Sequence, residues 1–279
     1  QGDYLALSFL KRFENLMPLG NAARLALPAS LQKAVTDETE RFFTEKVVSA
    51  GDQRKIRRQN KKAGPVLAEA LDRLRPSHPS VVQIIQDLYP QVLPYLIRSY
   101  LFDPELPLRG DKVSPVHHVA HVMNFMSEIL IGEHASPEEV KRGMVAALFH
   151  DAGIAVQSLP KITEKHITNL IASGASKKKV AEERSKAVAS RKEHPREGVT
   201  IAERIIGQYR QTHPSAFSKP DLQEILRIVR DHDNPKIPIL DHLIGRSQFG
   251  SKDFIKVDNR LMQTHREADA LWMVSPDGI

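Results

Sequence analysis

The residues of this chain whose types and spacing could do chemistry are histidines and aspartates. The clearest pair is His150-Asp151, because it ends the apolar run 146–149 and precedes Ala152 and Gly153. Burying an imidazole beside a carboxylate in an apolar context costs several kcal/mol unless a partner compensates both groups. A metal ion is the usual partner, so the doublet predicts a metal site.

Four further histidines and aspartates stand at the inner ends of apolar helical faces or where helices are expected to start. They are His118, His194, His232 and Asp269. The chain has no cysteine, which excludes thiolate sites and disulfides and leaves His, Asp and Glu as ligands. Converging helices can bring side chains from distant parts of a sequence into one pocket. We therefore predict that these four residues and the doublet form one site.

Two stretches leave the choice of ligand open. His117, His118 and His121 lie close together, and a single histidine on an apolar stripe is more often a hydrogen-bonded core residue than a ligand. Between 231 and 233 we favour His232, because it ends an apolar stripe spaced three or four residues apart. Asp233 is the weaker candidate there, as a ligand or as an acid or base. Other histidines are expected on the surface, in loops or in structural positions: His134, His166, His213, His242 and His265.

The elements that must position these residues read as helices. No segment shows the period-two alternation of a β-strand, so we predict an all-α fold. Ser114-Pro115 is a typical helix start for the segment that carries His118. Ser136 and Glu139 form a capping-box pattern for the helix that leads to the doublet, and Gly153 can end that helix.

One ligand candidate, His194, is expected at the start of a helix. His194 directly precedes Pro195, which predicts that a helix begins there. The basic segment over about 173–193 is expected to be a flexible lid or an insertion.

A proline-rich stretch, 102–110, suggests a connector. We accordingly predict an N-terminal helical region, 1–105, and a metal-binding helical bundle, 106–279.

The ordered set of histidines and aspartates resembles the HD superfamily, which is named for its His-Asp doublet and consists mostly of metal-dependent phosphohydrolases. The resemblance covers about 110–275 and is most specific at the doublet and in 266–272. It favours His118 as the first ligand, since His121 and Val122 follow it as in the first motif of the family.

The resemblance also implies how the ligands divide, and it implies two ions. One ion would take His118, His150, Asp151 and Asp269. The other would take Asp151, His194 and His232. Asp151 would thus bridge them. Nitrogen and oxygen ligands suit Mn, Fe, Co, Ni or Zn, and the high share of histidine argues against Mg alone.

The chain departs from the family at two places. Many relatives carry a lysine shortly after the doublet, where this chain has Ile154, so Lys161, Lys141 or Arg142 would have to supply the positive charge for a substrate phosphate. The Gly-Tyr-Pro signature of the cyclic-dinucleotide phosphodiesterases is absent, and 231–235 stands where those enzymes have paired histidines. We therefore do not expect a cyclic di-GMP enzyme.

The function implied is hydrolysis of a phosphoester or phosphoanhydride in a phosphorylated small molecule or nucleotide. Two cations would lower the pKa of a water molecule and neutralise phosphate oxygens. Asp151 would be central to this, and His121 or Asp233 would give a proton to the leaving group. A second enzyme hypothesis is a di-iron oxygenase, which some HD-like proteins with four histidines and two aspartates are.

A third hypothesis is a regulatory module that binds a nucleotide or metabolite without turnover. Its support is the basic run 54–62, although nucleic acid is not the favoured partner because no aromatic residues for base stacking are interleaved with these charges. The net charge of +6 and the pI near 9.4 favour anionic partners in general. The oligomeric state is left open.

Size and hydropathy set the remaining expectations. The 279 residues are 41% hydrophobic and 27% charged, which is ordinary for a globular protein with a large core. No window approaches about 18 consecutive apolar residues, so we expect no membrane span and a cytoplasmic protein. The last residues, 275–279, read as a loop, and we expect the natural chain to continue.

Overall fold

The fold is described from a computed structural model, in residues 27–46, 48–99, 115–156, 164–232 and 260–274. These ranges contain helices and no β-strand, which confirms the predicted all-α fold. We number the α-helices in chain order: α1 Ala29–Glu45, α2 Ala50–Leu74, α3 Pro79–Arg98, α4 Pro115–Gly132, α5 Pro137–Phe149, α6 Glu164–Ala172, α7 Lys177–Thr212, α8 Lys219–Asp231 and α9 Arg260–Val274. A 3-10 helix, Ala152–Val156, follows the doublet. None of these helices is both long and apolar enough to cross a lipid bilayer.

Serine caps start the helices that lead to the site. The Ser136 hydroxyl accepts a hydrogen bond from the Glu139 backbone N–H while the Glu139 carboxylate accepts one from the Ser136 N–H. This confirms the predicted capping box. Ser218 and Asp221 repeat the arrangement at the start of α8. Each cap satisfies backbone donors that the first helical turn leaves without partners, which fixes where the helix begins.

The core is one contiguous apolar cluster that draws on helices from both sides of the connector. Helix α2 packs along α4, and α3 packs on α5 and on the 3-10 helix. Helix α4 also contacts α5 and α9, while α7 crosses the 3-10 helix and packs on α8. The proposed boundary at 105/106 falls in 100–114, outside the described residues, and it stays a prediction.

A polar anchor joins the N-terminal helices to the helix of the first ligand. The Arg73 guanidinium on α2 donates to the Asn124 side-chain oxygen at 2.7 Å and to Ser127 Oγ at 2.6 Å, both on α4. It also pairs with Glu69 at 3.0 Å. Charge-assisted hydrogen bonds of this kind are directional, so they fix how α4 is turned against α2.

The expected flexible segment and helix start near 194 were wrong. Helix α7 runs for 36 residues from an N-cap at Ser176, passes through Pro195 and includes His194 well inside it. The lysine, alanine and glutamate residues that suggested an exposed flexible segment are also good helix formers. Pro195 removes one backbone donor from the helix without ending it.

Candidate metal centre

The structure brings all six predicted ligands together, in two groups. One group contains His118, His150 and Asp269, and the other contains Asp151, His194 and His232. Within each group, one ligand atom from each residue lies within 4.8 Å of the others. Either group could therefore hold a metal ion.

The first group draws one ligand from each of α4 and α9 and one from the C-terminal end of α5. His118 Nε2 on α4 lies 3.1 Å from His150 Nε2 and 3.3 Å from Asp269 Oδ1 on α9. Oδ2 of Asp151 is 3.3 Å from His118 Nε2 and 3.5 Å from His150 Nε2. Two imidazole nitrogens and two carboxylate oxygens therefore face one small volume.

The second group lies on the other side of Asp151. His194 Nε2 on α7 is 3.2 Å from His232 Nε2 at the end of α8. Oδ1 of Asp151 is 3.8 Å from His194 Nε2 and 3.7 Å from His232 Nε2. The two oxygens of a single carboxylate are thus divided between the two groups, which is the arrangement of a bridging ligand.

His150 and His232 occupy equivalent positions on their helices. Each is the C-cap of a 13-residue helix that starts at a capping-box serine. The Nδ1 atoms lie 2.8 Å from the Ala147 carbonyl oxygen and 2.7 Å from the Val229 carbonyl oxygen. A carbonyl can only accept, so Nδ1 carries the proton in both rings. Nε2 of a neutral ring then presents its lone pair to the site, as a metal ligand must.

Two glycines allow α7 to deliver His194. A Cβ atom at Gly153 would lie 1.9 Å from the His194 carbonyl oxygen and 2.4 Å from the Gly198 nitrogen. A Cβ atom at Gly198 would in turn lie only 3.1 Å from Cγ1 of Val229 on α8. The backbones of α7 and of the 3-10 helix therefore cross in direct contact. The predicted helix end at Gly153 is wrong: α5 ends at Phe149, and the glycine lies where α7 crosses the 3-10 helix.

The charges of the centre shift the pKa values of its groups. Burial alone would lower the pKa of His150, but the carboxylates of Asp151 and Asp269 outweigh burial and raise it to about 9. Burial raises the pKa of Asp151, but the His150 imidazolium outweighs it and holds that pKa well below its usual range. Burial also raises the pKa of Asp269, but the hydrogen bond from His118 outweighs it and holds that pKa below its usual range. Both carboxylates therefore stay ionised, and the centre attracts cations.

Helix α9 links the two groups. It carries Asp269 of the first group, and its Arg266 donates a hydrogen bond to the His232 carbonyl oxygen at 2.5 Å in the second. On the same helix the ring of His265 packs against His150 and His232, with centroid distances of 5.2 Å and 6.0 Å. Sequence reasoning did not assign His265 to the site. Its position four residues before Asp269, on the same helical face, was the available signal.

His121, the predicted proton donor, lies next to the first group. Its Nε2 atom is 3.1 Å from His117 Nε2. Burial, and the neighbouring imidazoles His117 and His118, lower the pKa of His121 to about 3. The ring is therefore neutral near pH 7 and offers one donor and one acceptor. The other predicted acid or base, Asp233, lies outside the described residues.

Two of the residues predicted to bind a substrate phosphate, Lys141 and Arg142, form ion pairs with Asp221. Arg142 Nε lies 2.6 Å from Asp221 Oδ1, and Lys141 Nζ lies 2.7 Å from Asp221 Oδ2. Both residues therefore tie α5 to the start of α8, and their role towards a phosphate stays a prediction. Lys161 is outside the described residues. His134 and His213 are exposed, as expected.

Comparison of the chain with protein-family models, with curated proteins and with solved structures finds no match.

Proposed function

We propose that this protein is a metal-dependent phosphohydrolase with a binuclear centre. The proposal rests above all on Asp151, whose Oδ2 faces His118 and His150 while Oδ1 faces His194 and His232. A carboxylate so divided suits two cations held side by side. Binuclear sites of this kind typically clamp a phosphoryl group during displacement.

The donor set itself fits metal ions. The Nδ1 atoms of His150 and His232 lie against backbone carbonyl oxygens, so their Nε2 atoms are the ones that face the site. They lie 3.1 Å from His118 Nε2 and 3.2 Å from His194 Nε2, respectively. In the metal-free protein a proton holds such a nitrogen pair together, as the raised pKa of His150 indicates, and a metal ion could take the place of that proton. Imidazole and carboxylate together favour Mn, Fe, Co, Ni or Zn.

Bound metal would supply Lewis acidity towards a phosphate oxygen and a water molecule that loses its proton near neutral pH. The protein residues hold the geometry. Asp151 contacts both groups and so sets their relative position. Asp269 on α9 and His118 on α4 complete the first group. The neutral ring of His121 beside His118 can donate a hydrogen bond to a substrate oxygen. To give a proton to the leaving group, His121 would first have to take up a second proton, and a bound phosphate would favour this by raising its pKa.

The first experiment is elemental analysis of protein purified without chelator. We expect two equivalents of a transition metal per chain, and manganese-supported hydrolysis of p-nitrophenyl phosphate, bis-p-nitrophenyl phosphate or nucleotides under both air and nitrogen. Turnover by wild type that is absent from Asp151→Asn would support the proposal. Two bound metals without hydrolysis of any phosphoester or phosphoanhydride would contradict it.

The di-iron oxygenase is the second candidate, because Ile154 leaves no lysine after the doublet and the donor set of four histidines and two aspartates suits iron. It predicts two iron atoms per chain and substrate-dependent consumption of dioxygen. The phosphohydrolase requires neither iron nor dioxygen. The same purified sample therefore separates the two hypotheses.

The regulatory hypothesis depends on the basic run 54–62, which lies on α2. Arg57 in this run is bound to Glu40, with N–O distances of 2.6 and 2.8 Å, and its guanidinium lies 4.7 Å from the centre of the Phe43 ring. The Arg57 guanidinium therefore binds α1 and helps to hold α2 against it. Salt-sensitive binding of nucleic acid without turnover would favour this hypothesis over both enzymes.

A further inference from the structure

A seventh side chain, His265, lies beside the six ligands. It is completely buried on α9, with an exposed fraction of 0%. Neither Nδ1 nor Nε2 has a hydrogen-bond partner among the described residues. Native proteins rarely bury both polar atoms of a side chain in this way, and each instance calls for a physical reason.

Packing alone is not a sufficient reason. A phenylalanine ring has nearly the same shape and would fill the position without desolvating two nitrogens. The polar ring must therefore have a use that outweighs its cost to stability. Residues that are unfavourable for the fold and lie in a binding centre commonly serve that centre.

The position of His265 indicates what it serves. Its ring meets His150 of the first group edge-on at 5.2 Å and His232 of the second group at 6.0 Å, with interplanar angles of 72° and 67°. The rings of His150 and His232 are themselves 5.3 Å apart. His265 is thus the third member of a triangle of imidazoles that includes one ligand from each group.

We propose that His265 is a positioning residue of the metal centre: one of its two ring nitrogens, neither of which has a partner in the described ranges, hydrogen-bonds to a water molecule of the loaded centre, beside His150 and His232. The inference rests on the proposed binuclear centre and adds a residue to it. Residues that surround and hydrogen-bond to the direct environment of a bound metal typically weaken metal binding by about 10- to 100-fold when they are removed.

The test is His265→Phe in the full chain, with stability and metal binding measured separately. The phenylalanine removes two unsatisfied polar atoms, so the metal-free variant should melt about 2 to 6 °C higher than metal-free wild type. It should also bind manganese or cobalt about 10- to 100-fold more weakly, by calorimetric titration, since the hydrogen bond is lost. His265→Gln, which restores a polar group at similar reach, should recover part of the affinity.

His78→Phe is the matched control. His78 is also buried, and its Nδ1 atom has no hydrogen-bond partner among the described residues, but it lies at the start of α3 and belongs to neither group. We expect its metal affinity to equal that of wild type. A His265→Phe protein that binds two metals with wild-type affinity and melts lower would show that His265 is only a packing residue.

The two proposals fail in different ways. If wild type takes up no metal, both the phosphohydrolase and the role of His265 are wrong. If wild type binds two metals and His265→Phe binds them equally well, only the role of His265 is wrong.

Discussion

Gly153 and His194 touch through their backbones: a Cβ atom at position 153 would lie 1.9 Å from the His194 carbonyl oxygen. Real Cβ atoms essentially never approach another heavy atom within 3.0 Å. The contacted atoms belong to the backbone of α7, so no side chain can rotate to relieve the clash. The absence of a side chain at 153 therefore determines where α7 crosses the 3-10 helix, and with it the position of the His194 ring.

The first prediction is that Gly153→Ala empties the second group while the first persists. The alanine must push α7 away, which removes His194 from Asp151 and His232. The first group draws on α4, α5 and α9, so we expect metal content to fall from two equivalents to one, measured by elemental analysis after dialysis. Gly207→Ala on the same helix meets nothing within 4 Å and should keep both metals, with a stability gain of about 0.5 to 1 kcal/mol. Two metals in Gly153→Ala would contradict the assignment.

A second prediction concerns the bridging carboxylate. Asp151→Asn keeps the shape of the side chain but replaces one anionic oxygen by an NH₂ group that cannot bind a cation. Because one oxygen of Asp151 faces the first group and the other faces the second, we expect less than one metal per chain and no hydrolysis. The far-UV circular dichroism spectrum should be unchanged, since the shape of the side chain is kept. Asp87→Asn is the control, since Asp87 accepts a hydrogen bond from the Tyr209 hydroxyl at 3.0 Å and is not one of the six ligands. Retention of two metals in Asp151→Asn would rule out the bridge.

A third prediction concerns pH. The pKa of His150 is raised from 6.5 to about 9 in the metal-free protein, so its proton stabilises the fold fully below pH 6.5 and this contribution is lost as the pH rises through 9. Metal must displace that proton, because only neutral imidazole is a ligand. Metal affinity should therefore rise between pH 6.5 and 9 while the free energy of unfolding of the metal-free protein falls. Titration calorimetry in buffers of different ionisation enthalpy should show proton release, and affinity that falls with rising pH would refute this.

A fourth prediction concerns the ion pairs that join α5 to α8. Burial would raise the pKa of Asp221, but hydrogen bonds from Lys141 and Arg142 outweigh it and hold that pKa below its usual range. The ionised carboxylate therefore stabilises the fold above about pH 4, and this is lost as the pH falls further. Asp221→Asn should lower the free energy of unfolding by about 2 kcal/mol at pH 7, and by less at pH 3, in urea titrations. An equal loss at both pH values would show that the charge is not responsible.

A fifth prediction tests the domain boundary. Leu67 and Leu71 of α2 are completely buried in the same apolar cluster as Met126 of α4. A protein lacking 1–105 would expose that face of α4 and lose the Arg73 anchor, so we expect it to be insoluble or to lack a cooperative thermal transition. A soluble 106–279 fragment that binds two metals would instead establish an independent domain.

Much of this protein follows from local sequence. The capping residues Ser136 and Ser218 begin their helices through hydrogen bonds to residues three positions away, so a short stretch is sufficient to specify them. Residue type and apolar context are sufficient to propose the ligand candidates, but the choice of His118 over His117 and His121 depended on the resemblance to the HD superfamily. The continuity of α7 could not be predicted, because Pro195 normally favours a helix start, whereas in the structure α7 continues through it and packs on neighbours that include α8 and the 3-10 helix.

Tertiary structure decided which atoms meet. His117, His118 and His121 lie on one helix, and their spacing fixes only their relative directions around its axis. Packing of α4 against α2, α5 and α9 turns His118 Nε2 to His150 and Asp269, while His117 and His121 contact each other. The place of His265 among the ligands was decided in the same way. Helical periodicity determines which side chains share a face, but the partner of each face depends on residues far away in the sequence.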